Sequence, residues 1–407
     1  MRSRRARATA SVSSLSVTDN ASREWLAVLC TVLTVYLVLV IGIQRLATSS
    51  EWIIGDWLIN YSDGFIRRGL IGEVARQLHH MAGIDPVSFV VICKAFCYAA
   101  MSASLLLLAA RRTIGLIEIA VLLSPALLPF EINDPLGSGR KEIVLLALFA
   151  MYVAADELIP RTGKRPQQQW RFWYLLLTLP VLTLMHEGLF FFFPFFFVYA
   201  WMKHDDVRRE AVVFGVPYLV SACGVALSWI FRGNTGIAAA MCSSLTSMGV
   251  NPKVCAGGAI DALERYDVRI GIGDMQRYLL LAILTFGPLL WYGAQAISAP
   301  RRRPFLTGLC LAALSTAPLY VLSEDWGRWL HTTGMLVFVT VFACKDVNVH
   351  APARRPAFAV PFFAAIAIFA FSWQLPHWIH SPLPVVRPSA EHAVMLVKAH
   401  VLHTATQ

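Results

Sequence analysis

Charge is what this chain has least of. Aspartate, glutamate, lysine and arginine make up 15% of its 407 residues, against 57% hydrophobic residues. A soluble domain carries about 25% charged residues, so the shortage excludes a soluble globular chain. With a mean hydropathy of +0.58, it points to a polytopic membrane protein. The phosphate-binding loop G-x-x-x-x-G-K-[ST] is missing, as are H-E-x-x-H and G-x-S-x-G. Nucleotide hydrolysis, zinc proteolysis and a serine nucleophile elbow are therefore not expected. Eight cysteines occur without one C-x-x-C pair, which removes the usual metal and redox motifs. His377, His380, His392, His400 and His403 are too irregularly spaced to read as metal ligands. There is no internal repeat. The formal charge of +10 follows the connections between apolar runs, so no nucleic-acid partner is inferred.

Those apolar runs set the organisation. Residues 1–24 are polar and include Arg2, Arg4, Arg5 and Arg7. The run over about 25–43 is too long for a signal-peptide core and reads as an uncleaved first span, its arginines held in the cytoplasm. At ~20 residues per crossing, further spans fall near 87–110, 113–131, 142–159, 172–185, 188–202, 211–231, 277–297, 305–322, 329–345 and 357–374. The expectation is an all-α transmembrane bundle of about eleven spans over residues 25–374, with 375–407 as an extracytoplasmic tail. Alternate connections carry Arg111 and Arg112, Arg161 to Arg171, Lys203 to Arg209, Arg301 to Arg303, and Lys345 to Arg355, as the positive-inside rule requires. The stretch from Arg171 to Lys203 is short for two crossings. It reads as a helical hairpin whose tip, His186-Glu187-Gly188, stays below the outer surface.

Four polar motifs then sort onto the outer side. The first, Tyr61 to Val74, contains Asp63, Arg67 and Arg68, with apolar residues at helical spacing. It predicts an amphipathic interfacial helix over 64–82. Asp63 is either its N-cap or a catalytic carboxylate, and Arg67 and Arg68 either snorkel or hold a lipid phosphate. The second, Glu131 to Glu142, is rich in Gly and Pro. It offers Asp134, Arg140 and Lys141 as an anion site, or is an exposed turn. The third, His186 with Glu187, is costly at membrane depth and so is a candidate for function or for helix-fixing ion pairs. The fourth, Ser323 to Trp329, sets Arg328 beside Asp325, as a salt bridge or a phosphate contact. In the longest outer loop, 232–276, Cys242 and Cys255 are either bridged or packed as thiols.

Acids and guanidiniums on an outer face, without nucleotide motifs, suit a lipid-linked phosphosugar. Arginines would hold the phosphate, and a carboxylate would deprotonate the acceptor hydroxyl. A buried Glu187 with raised pKa, beside His186, could act as that base. An acid straight after span one, followed by an amphipathic interfacial helix, resembles the integral-membrane glycosyltransferases of the GT-C class. The later outer loops are similar to those of Wzy-type polymerases of bacterial surface polysaccharides. The resemblance implies a plasma (inner) membrane enzyme with Asp63 as base and a polyprenyl-phosphate or polyprenyl-diphosphate sugar as donor. It also implies a glycan or glycolipid acceptor, and polysaccharide-assembly proteins as partners. No cofactor is expected. A divalent metal would require Asp63, Asp134 and Asp325 to converge. A proton-coupled transporter and a non-catalytic binder or flippase of lipid-linked glycans are the alternatives.

Overall fold

The computed structural model describes residues 2–46, 51–159, 164–204, 206–255, 258–263, 268–346, 368–370, 372–381 and 385. Among them the fold is all-helical. Five helical stretches are long and apolar enough to cross a membrane: Arg23–Arg45, Pro86–Arg111, Val207–Ile230, Ile272–Ala296 and Ala299–Leu322. The first is the apolar part of α1 (Arg2–Leu46), and the last is α13 (Ala299–Leu314) continued by α14 (Ala317–Leu322). The others are α4 (Pro86–Arg111), α10 (Val207–Ile230) and α12 (Ile272–Ala296).

Between them stand further helices that fall short of that length or composition, and protein surrounds much of their surface. The clearest is α15 (Trp326–Cys344), in which every residue is buried, including Arg328, His331, Thr332, Thr333 and Thr340. Helices α7 (Glu142–Leu158), α9 (Pro194–His204) and α12 pack around it. A helix enclosed on all sides can carry polar groups that find partners inside the bundle. Helix α4 lies along α7, and α8 (Lys164–Met185) lies along α10.

Polar side chains collect at both ends of α7 and α15. At the far end, Arg171 forms a fully buried pair with Glu210 at 2.8 and 2.9 Å. There also His204 meets Asp156 at 3.0 Å, Arg112 meets Glu157 at 2.8 Å, and Lys345 meets Glu118 at 2.8 Å. At the near end lies the cluster described below. Helix α15 has 19 residues, so at 1.5 Å per residue the two polar layers stand about 28 Å apart, close to one hydrocarbon thickness.

Three expectations change. The continuous helix expected over 113–131 is broken into two short ones: α5 (Leu116–Leu122) has 7 residues, and α6 (Phe130–Asn133) has 4. Pro125 and Pro129 lie between them, and neither can supply the N–H that a continuous helix needs there. The helix expected at the interface begins later, as α3 (Leu70–Ala82) with Gly69 at its N-cap. Asp63 therefore does not cap it. Residues 188–202 divide into a 3₁₀ segment, Glu187–Phe192, and then α9. Most of the span expected at 357–374 lies outside the described residues.

Candidate functional site

The near-end cluster is assembled from six pieces of chain. Helix α2 (Glu51–Leu58) contributes Asp56, which is 1% exposed. The turn that follows contributes Arg67 and Arg68. Arg68 has φ +66°, and no other non-glycine residue described has positive φ. Side chains adopt that backbone at a cost of roughly 1–3 kcal/mol, and two contacts hold it there. The Arg68 carbonyl accepts from Lys141 Nζ at 2.9 Å, and its guanidinium clasps Glu187 with three hydrogen bonds of 2.7–3.0 Å. Arg67 donates to the Leu263 carbonyl at 2.9 Å and stands 3.6 Å from Glu187.

The loop before α7 contributes Arg140 and Lys141. Gly139 turns this loop with φ +68°, and its carbonyl accepts from Trp57 Nε1 at 2.9 Å. Lys141 is wholly buried, 4.0 Å from Asp56. Burial is the main force on it and pushes the amine down to about 8, with Arg68 working in the same direction. Burial pushes the Asp56 carboxyl up, but Lys141, His186, Arg68 and Arg140 together bring it below its ordinary value. The start of α15 contributes Asp325 and Arg328, paired at 2.9 Å, with Glu142 at 3.5 Å from Arg328. Burial raises the Asp325 carboxyl, and Arg328, Arg140 and His377 more than reverse this, to about 2.

The break between α8 and α9 contributes His186 and Glu187. His186 is buried, and its Nδ1 accepts the Gly188 N–H at 3.0 Å. Glu187 does not stand alone as a base, since Arg68 occupies both its oxygens. The sixth piece is segment 372–381. Expected mostly as a tail, it packs across loop 134–137 and the start of α15, where the Gly327 N–H donates to the His377 carbonyl at 3.0 Å.

Arg140 is the exception in this cluster. It makes no ion pair within 4.0 Å and no hydrogen bond to any described residue, although its Nε is shielded from solvent. Its nearest aromatic contact is Trp52, 5.8 Å from the ring centroid. Burial, then the neighbouring Arg328, pull its guanidinium below the ordinary value. Arg67, Arg68, Arg140, Lys141 and Arg328 face Asp56, Glu142, Glu187 and Asp325.

Arg67, Arg68, Arg140, Lys141, His186, Glu187, Asp325 and Arg328 thus meet. Asp63 does not join them through any hydrogen bond or ion pair among the described residues. It sits exposed in a turn closed by Gly64 N–H to the Tyr61 carbonyl. Asp134 turns aside to His377 at 2.8 Å. Sequence reasoning missed Asp56, Glu142 as the partner of Arg328, and His377. The lone acid in the apolar run 52–58 was the available signal for Asp56. The described residues contain no group of three or more His, Cys, Asp or Glu able to hold a metal.

Beside this cluster, Cys242 and Cys255 form a disulfide, with Cα atoms 5.8 Å apart. Their loop packs against α2, where the Val254 carbonyl lies against Gly55. Another polar network sits deeper. Glu131 accepts from Tyr98 at 2.6 Å and lies 2.9 Å from His331 Nε2, and the buried Lys94 amine nearby has no described partner.

No curated protein and no solved structure matches this chain. A family model does match, from the first span to the disulfide loop, and leaves Asp325, Arg328 and His377 beyond its end. It covers residues 25–268 and is described as uncharacterised membrane protein Rv1490, and the chain belongs to that family of membrane proteins.

Proposed function

We propose that this protein is a membrane glycosyltransferase. It takes a sugar from a polyprenyl-phosphate or polyprenyl-diphosphate carrier at the extracytoplasmic face of the plasma membrane, for surface polysaccharide or glycolipid assembly. The observation that carries this reading is Arg140, a guanidinium shielded at Nε and without a described acid, in a cluster where the other charges are paired. A phosphate supplies the missing anion, since its oxygens match the planar fork of donors. As the bond from sugar to phosphate breaks, the same donors stabilise the charge left on the phosphate. The lipid tail would approach along α3, which exposes Val74 and Met81 on an interfacial amphipathic helix.

The reading includes a GT-C-like bundle of more crossings than the five stretches that meet length and composition, with the N-terminus in the cytoplasm. Alternating basic connections and the spacing of the two polar layers support it. A glycan or glycolipid is the acceptor, and other polysaccharide-assembly proteins are the expected partners in the same membrane.

The test is glycolipid and polysaccharide output in cells carrying Arg140→Gln or Asp63→Asn, with protein level in the membrane measured in parallel. Arg140→Gln is expected to lose product at normal protein level, and unchanged product would overturn the phosphate role. Asp63→Asn tests the base that the resemblance implies. One observation favours a second reading, proton-coupled transport: the Glu131, His331 and Lys94 network. Proton flux in proteoliposomes that disappears in Glu131→Gln, with glycan output intact in Arg140→Gln, would select it.

A further inference from the structure

Segment 372–381 brings one imidazole to the cluster, and its contacts are those of an oriented base. Asp134 accepts the backbone N–H of His377 at 2.7 Å, and both carboxylate oxygens lie 2.8–2.9 Å from ring Nδ1. The same carboxylate accepts the Gly137 N–H at 3.0 Å. A carboxylate with this set of donors acts as an acceptor, so Nδ1 carries the ring hydrogen. In the neutral ring that leaves the lone pair on Nε2, which has no hydrogen-bond partner among the described residues. The main chain on either side is pinned: the Gly327 N–H donates to the His377 carbonyl, and Tyr278 donates to the carbonyls of Pro376 and Trp378 at 2.8 and 3.0 Å. Gly137 has no room for a Cβ against the His377 side chain. The charged groups around the ring are Asp134 from the loop before α7 and Asp325 from the start of α15, and Arg140 and Arg328 also act on Asp325.

We propose that His377 is the general base of glycosyl transfer and that Asp134 is the positioning residue that fixes its tautomer. The proposal rests on the glycosyltransferase reading and replaces Asp63 in the role that the resemblance implies. Nε2 takes the proton of the acceptor hydroxyl. The hydroxyl oxygen forms its bond to the anomeric carbon with its electron pair. The bond from that carbon to the phosphate oxygen breaks, and its pair leaves on the phosphate beside Arg140. The imidazolium then returns its proton to water. A carboxylate that orients an imidazole, with the second nitrogen free, is the arrangement that base catalysis uses on unrelated folds.

The test follows the rate of product formation in membranes carrying wild type, His377→Ala, His377→Gln or Asp134→Asn. His377→Ala is expected to lose about 10²–10⁴-fold in rate. Free imidazole and substituted imidazoles should restore His377→Ala in order of their basicity, which a packing role would not produce. Asp134→Asn should lower the rate with unchanged protein level. His377→Gln above half the wild-type rate, while Arg140→Gln or Asp63→Asn abolishes product, would overturn the proposal and leave the glycosyltransferase reading standing. Absence of product from wild-type membranes would remove that reading, and with it the base. An activity-independent check uses ¹⁵N-histidine NMR of the purified full chain. The neutral ring should carry hydrogen on Nδ1, and Asp134→Asn should weaken that preference. Hydrogen on Nε2 in the wild type would overturn the proposal whatever the assay shows.

Discussion

Replacing Arg140 with glutamine should make the protein more stable and less active. The sign follows from its surroundings. The guanidinium is shielded at Nε, has no acid within 4.0 Å among the described residues, and stands in the field of Arg328. Holding a charge there costs stability that the fold recovers only when an anion arrives. Removing such a functional liability commonly gains about 0.5–2 kcal/mol. Glutamine keeps much of the volume and two donors. For a chain of this size the gain corresponds to an apparent unfolding midpoint raised by roughly 1–4 °C. The control has the opposite sign. Glu187→Gln removes the acceptor of three hydrogen bonds from Arg68. Leaving one member of a buried pair costs about 3–5 kcal/mol, and here roughly 2–4, since the two side chains are 20% and 14% exposed and partly screened. The assay is thermal unfolding of detergent-purified protein at one fixed scan rate, because membrane proteins of this size unfold irreversibly. A midpoint for Arg140→Gln more than 2 °C below wild type would refute the reasoning, for it would mean that Arg140 has a structural partner.

Three further outcomes are expected. Lys141 loses its proton at about 8 in the fold, against about 10.4 in an unfolded chain. Between these values the unfolded state binds more protons, so this residue makes stability rise with pH from about 8 to about 10.4. Lys141→Met should flatten the rise in a series of unfolding midpoints. Gly72→Ala places a Cβ against the Ile59 carbonyl and 2.7 Å from Leu58 C, so α3 must move off α2. A cost of about 3 kcal/mol should appear as a smaller monodisperse fraction by size exclusion. Cys242→Ser should cost about 3 kcal/mol, since the bridge closes a loop with a sequence separation of 13. Reductant should lower the wild-type midpoint and leave the variant unchanged.

What could be read from sequence was the part governed by short-range rules. Scarcity of charge identified a helical membrane protein, and hydropathy found the helices whose own surfaces face lipid. All four polar motifs contribute residues to one cluster, although Asp63 and Asp134 do not join it. Prolines at 125 and 129 were visible too, but a hydropathy window averages over them and joined two short helices into one span. The start of α3 depended on Arg68, whose positive φ is held by Lys141 and Glu187, 73 and 119 residues away in sequence. His377 was discarded because its spacing to other histidines meant nothing. Its partner is Asp134, at a separation of 243 residues, and no local pattern carries that information.

The same separation bears on where the site ends. The family match stops at residue 268, yet Glu142 is opposed by Arg328 and Asp134 by His377. Helix α15 fills the middle of the bundle, with Phe130 stacked on His331 at 4.4 Å and Glu131 bonded to the same ring. A fragment of residues 25–268 would leave Glu131, Asp134 and Glu142 without their described basic partners, and would uncover the faces of α7 and α9 that pack on α15. The matched segment therefore cannot keep this cluster by itself. Arg67, Arg68, Arg140 and Glu187 lie inside the match, while the groups that fix Asp134 and Glu142 lie outside it. Expression of residues 25–268 should yield protein that neither stays monodisperse in detergent nor restores glycan output. A stable, active fragment would show that α15 and segment 372–381 are dispensable, and would withdraw His377 as the base.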